Sequence, residues 1–534
     1  MKQKHMQLYR LIALAALVSV ILTLSAVFPA AAADAGSLDT SFDGDGIVTI
    51  DFGNVGDFAQ DVVLDADGKI IVAGYSFNGV NDDFALVRLN TDGSLDTTFD
   101  GDGKVITDFG GNDQAYGVAL DSLGRIILAG YSDVDANEDV AIAVYTPNGV
   151  LDVSFAGDGL LNYDSLGLNK NDYARDVDVD SADKIVIAGY ALEDFGGSLV
   201  ARFNADGTLD ASFGVRYETV IYDFLQAVQV DAAQRVLAVG EDDVSRHTSN
   251  GTLDTTFGGD GRVTLSCCID AYDMVSLASG KILFSGGTGT YITRINSDGS
   301  ADTSFSSDGE LAFSLTGDDY ALAVAVDSQA RIVTAGYYTP TTNNTEFAIT
   351  RVDNGGNVDV NFGNNGVVTT AFGSGQDRGR GLAIDANDNI VVVGYRTGAA
   401  ANVDFTVLRY LGEDTVPTNT PTHTPTDTLP PTQTFTPSPT ITPGGPTLTP
   451  TQTPTTEPTA TATPDPSLTE LLTNNSFETD SDGNKIPDGW TGSNTALANT
   501  DKVKCNKDTN DDGIPDKIFA RTGSCAFEFK GNVT

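Results

Sequence analysis

Two stretches of the chain decide its fold: DADGKIIVAGY at residues 65–75 and NTDGSLDTTFDGDGK at residues 90–104. In the first stretch, turn-forming residues precede a nearly continuous apolar run, which is typical of a buried strand. In the second stretch, another turn leads into a Leu-Asp-x-x-Phe element and a further Gly-rich turn. Short apolar runs that are rich in β-branched residues and bounded by Gly, Asp and Asn predict strands joined by tight turns.

Both stretches recur along the chain, and the phenylalanine of the second recurs at intervals of 44 to 58 residues. The phenylalanine of the Leu-Asp-x-x-Phe element, or of a close variant, stands at Phe42, Phe99, Phe155, Phe213, Phe257, Phe305 and Phe362. Each unit predicts four strands, which we name A to D in chain order. Strand A recurs seven times, near Asp61, Gly117, Asp176, Ala227, Asp273, Ala323 and Leu382. Units of four antiparallel strands at this period are typical of β-propeller blades.

The two ends of the repeat region complement each other. The last unit stops after strand C, at FTVLRY in residues 405–410, whereas residues 38–50 carry an extra Leu-Asp-x-x-Phe element and an extra strand D. We therefore predict an all-β fold over residues 34–411, a seven-bladed propeller closed by its N-terminal strand. An open solenoid is the alternative, although it would not need complementary ends.

The pattern N-x-D-G-x-L-D-x-x-F-(G/D)-x-D-G, with D-x-x-G-(K/R) before each A-G-Y strand, resembles the delta-60 repeats of bacterial β-propellers. The resemblance covers residues 34–411. It departs from the pattern at Gly240-Glu241, where Gly-Tyr is expected, and at Ala301, where Leu is expected. It implies a propeller fold and an exported protein, and it implies no activity.

The chain is strongly acidic, with 30 Lys+Arg against 74 Asp+Glu and a formal net charge of −44. A chain of this charge repels phosphate backbones, which argues against a nucleic-acid partner. Many of the acids stand in the repeated turns, as Asp92, Asp96 and Asp102 do. We favour turn chemistry for them over calcium loops, because each turn offers only one or two carboxylates.

The N-terminus has the features of an export signal. Basic residues precede an apolar run at residues 11–28 and small residues at 31–33, so we predict a signal peptide over residues 1–33. An uncleaved anchor is the alternative, because the run is long enough to span a bilayer. We expect a monomer that is secreted or displayed at the cell surface, with no membrane span after cleavage.

Thr and Pro dominate residues 412–467, which predicts an extended linker that buries no core. Residues 468–534 begin with N-x-x-F-E and P-x-x-W, and this start resembles jelly-roll carbohydrate-binding modules. The resemblance covers residues 468–534, roughly half of such a module, so we expect a partial, truncated module. In this module, Trp490 either stacks on a sugar or packs in the core, and a core position is more common for a tryptophan near the start of a strand.

Two acidic stretches of this C-terminal region share one register, with oxygen ligands at alternate positions and a backbone carbonyl at the seventh, which suits Ca²⁺. They resemble thrombospondin type 3 and EF-hand-like loops, and solvated acidic turns are the alternative. The predicted ligands are Asp480, Asp482, Asn484, Ile486 and Asp488 in the first loop, and Asp508, Asn510, Asp512, Ile514 and Asp516 in the second. Cys505 and Cys525 lie close in sequence in a chain predicted to be exported, which favours a disulfide between them.

The variable B–C loops and the D–A loops share one face of a propeller, so we expect a ligand site on that face. The repeats predict a non-enzymatic binding or scaffold protein that recognises a surface protein or a polysaccharide. The alternative is a secreted glycan-active enzyme, a glycoside hydrolase or lyase. Its acids would be sought first among Glu193, Glu241 and Glu310, which break the repeat, whereas His247 is interpreted as a surface residue.

Overall fold

The computed structural model describes most of residues 34–413 and two short strands near the C-terminus. The gaps fall at residues 54–55, 135–136, 166–169, 193–196, 219–223, 266–269, 288, 316, 342–343, 374 and 399–401. The chain divides into two compact units, Met1–Thr424 and Pro425–Thr534. Within the described residues, no helix has the length and apolarity needed to cross a membrane.

The described strands of the first unit are β1 Ile47–Ile50, β2 Asp57–Leu64, β3 Ile70–Phe77, β4 Asp82–Leu89, β5 Lys104–Thr107, β6 Asp113–Leu120, β7 Ile126–Ser132, β8 Asp139–Tyr145, β9 Leu160–Tyr163, β10 Asn171–Val179, β11 Ile185–Leu192, β12 Gly197–Phe203, β13 Val215–Glu218, β14 Ala227–Val230, β15 Val236–Val239, β16 Asp243–His247, β17 Arg262–Thr264, β18 Ala271–Ser276, β19 Ile282–Gly286, β20 Thr290–Ile295, β21 Glu310–Phe313, β22 Asp318–Val326, β23 Ile332–Thr341, β24 Asn344–Val352, β25 Val367–Thr370, β26 Arg378–Ile384, β27 Ile390–Thr397 and β28 Val403–Tyr410. They form seven four-stranded antiparallel sheets, one for each predicted blade. The seven-bladed all-β propeller is therefore confirmed.

The N-terminal strand closes the ring. In the seventh blade the strand order is β1-β28-β27-β26, so β1 supplies the outermost strand, strand D. It pairs antiparallel with β28, and the register runs from Ile47 opposite Leu408 to Ile50 opposite Phe405. The predicted closure is confirmed, and the open solenoid is wrong.

The core lies between the blades, as the alternation of the strands requires. The seven repeat phenylalanines are at most 1% exposed, which confirms them as core residues. Five of the seven rings pack against a turn glycine of the following blade. At Gly149, whose φ is +88°, a side chain would place its Cβ 2.9 Å from the Phe99 ring, so both the backbone conformation and the packing require glycine there.

A buried arginine near the end of strand C reinforces these contacts, and the sequence analysis did not single it out. In the first blade, Arg88 donates to Asp96 at 2.8 Å and lies 4.6 Å from the centre of the Phe99 ring. It also donates to the backbone carbonyl of Pro147 in the next blade. The second blade has Val144 at this position, and Arg125 bonds the equivalent Asp152 instead, at 3.2 Å.

The interpretation of His247 as a surface residue is wrong. This side chain is 2% exposed, because it takes the place that apolar residues such as Leu89 and Tyr145 hold at the end of strand C in other blades. Its Nδ1 lies 3.3 Å from the carbonyl oxygen of Gly251. Burial lowers the pKa of His247 to about 4, so the ring is neutral at physiological pH.

The second unit is described in only two strands, β29 Lys502–Cys505 and β30 Cys525–Glu528. They pair antiparallel, and Cys505 stands opposite Cys525 in the register. The disulfide between these residues remains a prediction.

Candidate functional site

The innermost strand of most blades contains a β-bulge, which shapes the centre of the ring. In β2 the register shifts between Ala59 and Asp61, and equivalent shifts occur in β6, β10, β18, β22 and β26. The glycine at the end of the facing strand makes room for the bulge. A Cβ on Gly74 would lie 2.0 Å from the carbonyl oxygen of Phe58, which explains the glycine of the repeated A-G-Y.

Three aspartates at the bulge, which we call the axial aspartates, connect neighbouring blades: Asp61, Asp176 and Asp273. Each carboxylate accepts one hydrogen bond from the next backbone N–H of its own strand. Each also accepts a second from the next blade, where the donors are Val118 N at 2.9 Å, Val228 N at 2.7 Å and Val324 N at 2.7 Å. These aspartates therefore link the blades around the axis.

The environment of the three axial aspartates favours their neutral form. Burial raises the pKa of Asp61 to about 6 and that of Asp273 to about 7, although the backbone N–H groups act in the opposite direction. Burial also raises the pKa of Asp176 well above its ordinary value, and the nearby charge of Asp61 adds to the effect.

The axial cavity around these aspartates is narrow. Its volume is about 120 Å³, and the residues at its centre include Asp61, Tyr116, Arg175, Asp273 and Arg380. Pockets that enclose a small organic ligand usually measure about 300 Å³ or more. The cavity can therefore hold water or an ion, and a larger ligand would have to bind at its mouth.

Aromatic side chains form a continuous arc at one mouth of this cavity, which we call the aromatic belt. The belt runs through Tyr395, Phe58, Tyr75, Tyr116, Tyr131, Tyr173, Tyr190 and Phe224, and neighbouring ring centres are 4.6 to 6.3 Å apart. Six of the eight rings are partly exposed, whereas Tyr131 and Tyr395 are buried. The belt offers a long apolar surface with phenol groups along it.

The register explains how the belt is assembled. Tyr75 ends strand B just before the B–C loop, and Phe58 lies opposite it in strand A, just after the D–A connection. The same pairing places Tyr190 opposite Tyr173 in the third blade. The belt therefore lies on the face that carries the B–C and D–A loops.

Three arginines add donors to the mouth. The Arg175 guanidinium lies 3.9 Å from the ring centre of Tyr116, and that of Arg378 lies 4.5 Å from the ring centre of Tyr337. The Nε atoms of Arg378 and Arg380 are buried and have no hydrogen-bond partner among the described residues. All three arginines are partly exposed, and a guanidinium group can donate to a ligand with oxygen acceptors.

The structure does not bring the predicted acids together at this mouth. Glu310 lies on β21, the outermost strand of its blade, whereas the cavity is lined by innermost strands. Glu241 lies in the short B–C turn of the fourth blade. Burial raises its pKa, and the negative charges of Asp270 and Asp242 raise it further. Glu193, Trp490 and the ten predicted calcium ligands lie outside the described residues.

Sequence analysis missed the belt and its arginines. The belt tyrosines were visible in the repeated A-G-Y, but a strand residue that faces a channel has the same local pattern as one that faces a core. A sharper signal was the variation in strand A. Arg175, Arg378 and Arg380 stand where other blades carry different residues, as is expected of positions that the fold does not fix.

Four stretches of the chain match a family model described as "Domain of unknown function (DUF5122) beta-propeller", at residues 66–99, 124–155, 182–213 and 277–305. Each stretch runs from near the A–B turn to the repeat phenylalanine. The repeats of this chain are therefore similar to those of a known propeller family. No curated protein matches the sequence.

The chain is similar to several solved structures. A streptogramin B lyase is 12% identical, with a TM-score of 0.44, and the match covers 68% of this chain and 97% of that one. A virginiamycin B lyase from Staphylococcus aureus with quinupristin is 10% identical, with a TM-score of 0.43 and coverage of 68% and 98%. A gluconolactonase from Xanthomonas campestris is 11% identical, with a TM-score of 0.33 and coverage of 71% and 97%. At these values, none of them indicates a function for this chain.

Proposed function

We propose that this protein is an exported, non-enzymatic binding protein whose propeller recognises a glycan at the aromatic belt. The observation that carries the proposal is the belt itself, with its partly exposed rings and the arginines beside it. Sugars present apolar C–H faces that stack on aromatic rings, and their hydroxyl groups accept and donate hydrogen bonds. The resemblance to delta-60 repeats and the predicted signal peptide support export.

The belt suits a neutral or acidic glycan. Burial raises the pKa of Tyr75, Tyr131 and Tyr173 above the ordinary value, so their phenols stay uncharged. Arg175 and Arg380 supply positive charge at the mouth of a chain that is acidic elsewhere. Stacking and guanidinium donors together favour sugar rings that carry carboxylate or many hydroxyl groups.

The axial aspartates support binding over hydrolysis. Glycoside hydrolysis uses two carboxyl groups that can reach the scissile bond. Here each axial carboxylate is already held by two backbone N–H groups, as Asp61 is by those of Val62 and Val118. The surrounding cavity of about 120 Å³ also leaves no room for a sugar ring.

The test is a glycan array probed with the full chain, followed by calorimetry with the glycan that binds best. We expect Tyr116→Leu to weaken binding at least tenfold, because it removes an aromatic face and keeps an apolar side chain. Tyr291→Leu is the matched control, since Tyr291 is a partly exposed tyrosine outside the belt, on strand β20. Equal affinities for the two variants would contradict the proposal, and so would release of smaller sugars from the bound glycan.

A further inference from the structure

A buried aspartate stands near the start of the innermost strand at five described junctions between blades: Asp57, Asp113, Asp172, Asp319 and Asp377. Each is at most 1% exposed. In four of them the carboxylate accepts a hydrogen bond from the backbone of the preceding D–A connection; Phe109 N, for example, donates to Asp113 at 2.7 Å. One acid per junction is thus explained by the fold, because it satisfies a buried backbone donor.

Three consecutive junctions carry two further aspartates each. We call these clusters the junction triads: Asp51, Asp57 and Asp404; Asp83, Asp108 and Asp113; and Asp139, Asp164 and Asp172. Within each triad, one carboxylate oxygen from each residue lies within 4.8 Å of the other two. The three acids come from three places: strand C of one blade, the residue after its strand D, and the start of strand A in the next blade.

The fold does not require the additional acids. The residue after strand D is Ala371 in the sixth blade and Ser314 in the fifth, where the triads have Asp51, Asp108 and Asp164. At the sixth blade the buried Asp377 accepts hydrogen bonds from the backbone N–H groups of Phe372 at 3.0 Å and Thr397 at 3.2 Å, and the charge of Arg396 also lowers its pKa. The same junction therefore forms with one buried aspartate.

In the second triad Asp83 and Asp113 are buried, and the exposed Asp108 lies beside them. Burial raises the pKa of Asp113 to about 6, and the charges of Asp108 and Asp83 raise it further. Burial also raises the pKa of Asp83, with contributions from Asp108 and Asp82. A cation between such close carboxylates would remove their mutual repulsion and offset the burial of Asp83 and Asp113.

An unpartnered oxygen points to a cation. Asp83 is 3% exposed; its Oδ2 accepts a hydrogen bond from Asn78, and its Oδ1 has no hydrogen-bond partner among the described residues. Asp113 Oδ1 also lacks a hydrogen bond of acceptable geometry, although the Ser132 hydroxyl is near enough to lower its pKa. Buried oxygens of this kind are rare in native proteins unless a water or an ion satisfies them.

We propose that each junction triad binds one calcium ion, which joins two neighbouring blades. Calcium takes about six to eight oxygen ligands at about 2.3–2.6 Å, so two of its ligand oxygens lie up to about 5 Å apart. In each triad the three carboxylate oxygens lie within 4.8 Å of one another, which agrees with this limit. Backbone carbonyls or water would complete the shell. These sites are distinct from the turn aspartates such as Asp92 and from the predicted C-terminal loops.

The test compares two triple variants of the full chain in equilibrium dialysis against calcium. The first variant is Asp51→Ala, Asp108→Ala and Asp164→Ala, which copies the natural Ala371. The control is Asp45→Ala, Asp102→Ala and Asp158→Ala. These three exposed aspartates lie at the other end of the same strands, where each accepts a bond from a backbone N–H. Both variants change the net charge equally and leave the C-terminal loops intact.

We expect the triad variant to bind three fewer calcium ions per chain than the control and the wild-type chain, and to lose the rise in melting temperature that calcium gives them. If the triple variant does not fold, Asp108→Ala alone is expected to lose one ion. Equal numbers of bound ions in the triad variant and the control would overturn the proposal. The absence of calcium binding by the wild-type chain at millimolar concentration would also overturn it.

Discussion

Single buried arginines tie neighbouring blades together, and Arg88 shows how one side chain does this. It joins Asp96 of its own blade, the Phe99 ring and the Pro147 carbonyl of the next blade. Burial alone would raise the pKa of Asp96, but hydrogen bonds from Lys69 and Thr98 and the charge of Arg88 hold it well below its ordinary value. The contact is therefore an ion pair across the whole physiological pH range.

We expect Arg88→Met to lower the free energy of unfolding by about 2–3 kcal/mol, because it leaves the buried Asp96 carboxylate with Lys69 as its only ion-pair partner among the described residues. Urea unfolding followed by circular dichroism measures the change. A second substitution, Asp96→Asn, is expected to recover part of the loss, since it removes the uncompensated charge. A loss below about 0.5 kcal/mol would show that the arginine is dispensable.

The axial aspartates give the stability of the ring a pH dependence of known sign. The folded pKa of Asp273, about 7, is higher than its ordinary value. Between pH 4 and pH 7 the folded state therefore binds more protons at this residue than the unfolded state does, so its contribution to stability falls as the pH rises.

Replacing Asp273 isolates its contribution to the pH dependence of stability. We expect the stability of wild-type protein relative to Asp273→Asn to decrease steadily from pH 4 to pH 7, as measured by urea unfolding at several pH values. Comparison with the variant cancels the opposite contribution of His247, whose folded pKa is lowered to about 4. A difference that is constant over this range would mean that Asp273 keeps an ordinary pKa.

Among the elements, strand β1 is the one on which ring closure depends. Its side chains alternate: Val48 and Ile50 are buried and Thr49 is exposed. This alternation explains why the closure could be predicted from sequence, since strand D repeats the same short pattern in every unit.

Two substitutions one residue apart test the role of β1. We expect Val48→Asp to cost about 3 kcal/mol or more, because it buries a charge between β28 and the neighbouring blade. Thr49→Asp, on the outer face of the same strand, is expected to change stability by less than about 0.5 kcal/mol. Thermal unfolding of the two variants measures both effects, and similar melting temperatures would contradict the assigned register.

The candidate site was harder to predict from the sequence than the strands were. The repeat fixed the blade count, the buried phenylalanines and the face on which the belt lies. It did not reveal the belt, because a tyrosine such as Tyr75 meets Tyr116 of another blade only when the ring closes. The junction triads were missed for a similar reason, since Asp83 and Asp113 are 30 residues apart and belong to different blades.

The whole molecule presents one chemically distinct face. The aromatic belt and the junction triads both lie where the B–C and D–A loops emerge, whereas the opposite face carries the repeated A–B and C–D turns. Calcium at the triads would hold in place the blades that carry most of the belt, from the seventh to the third. Ligand recognition and cation binding are thus expected to support each other on this face.

The most direct test of glycan recognition at the belt is hydrogen–deuterium exchange of the full chain, with and without the glycan selected on the array. We predict slower exchange at the starts of β2, β6 and β10 and at the ends of β3, β7 and β11, which carry the belt. Slower exchange confined to the A–B and C–D turns, or to residues 468–534, would contradict the account.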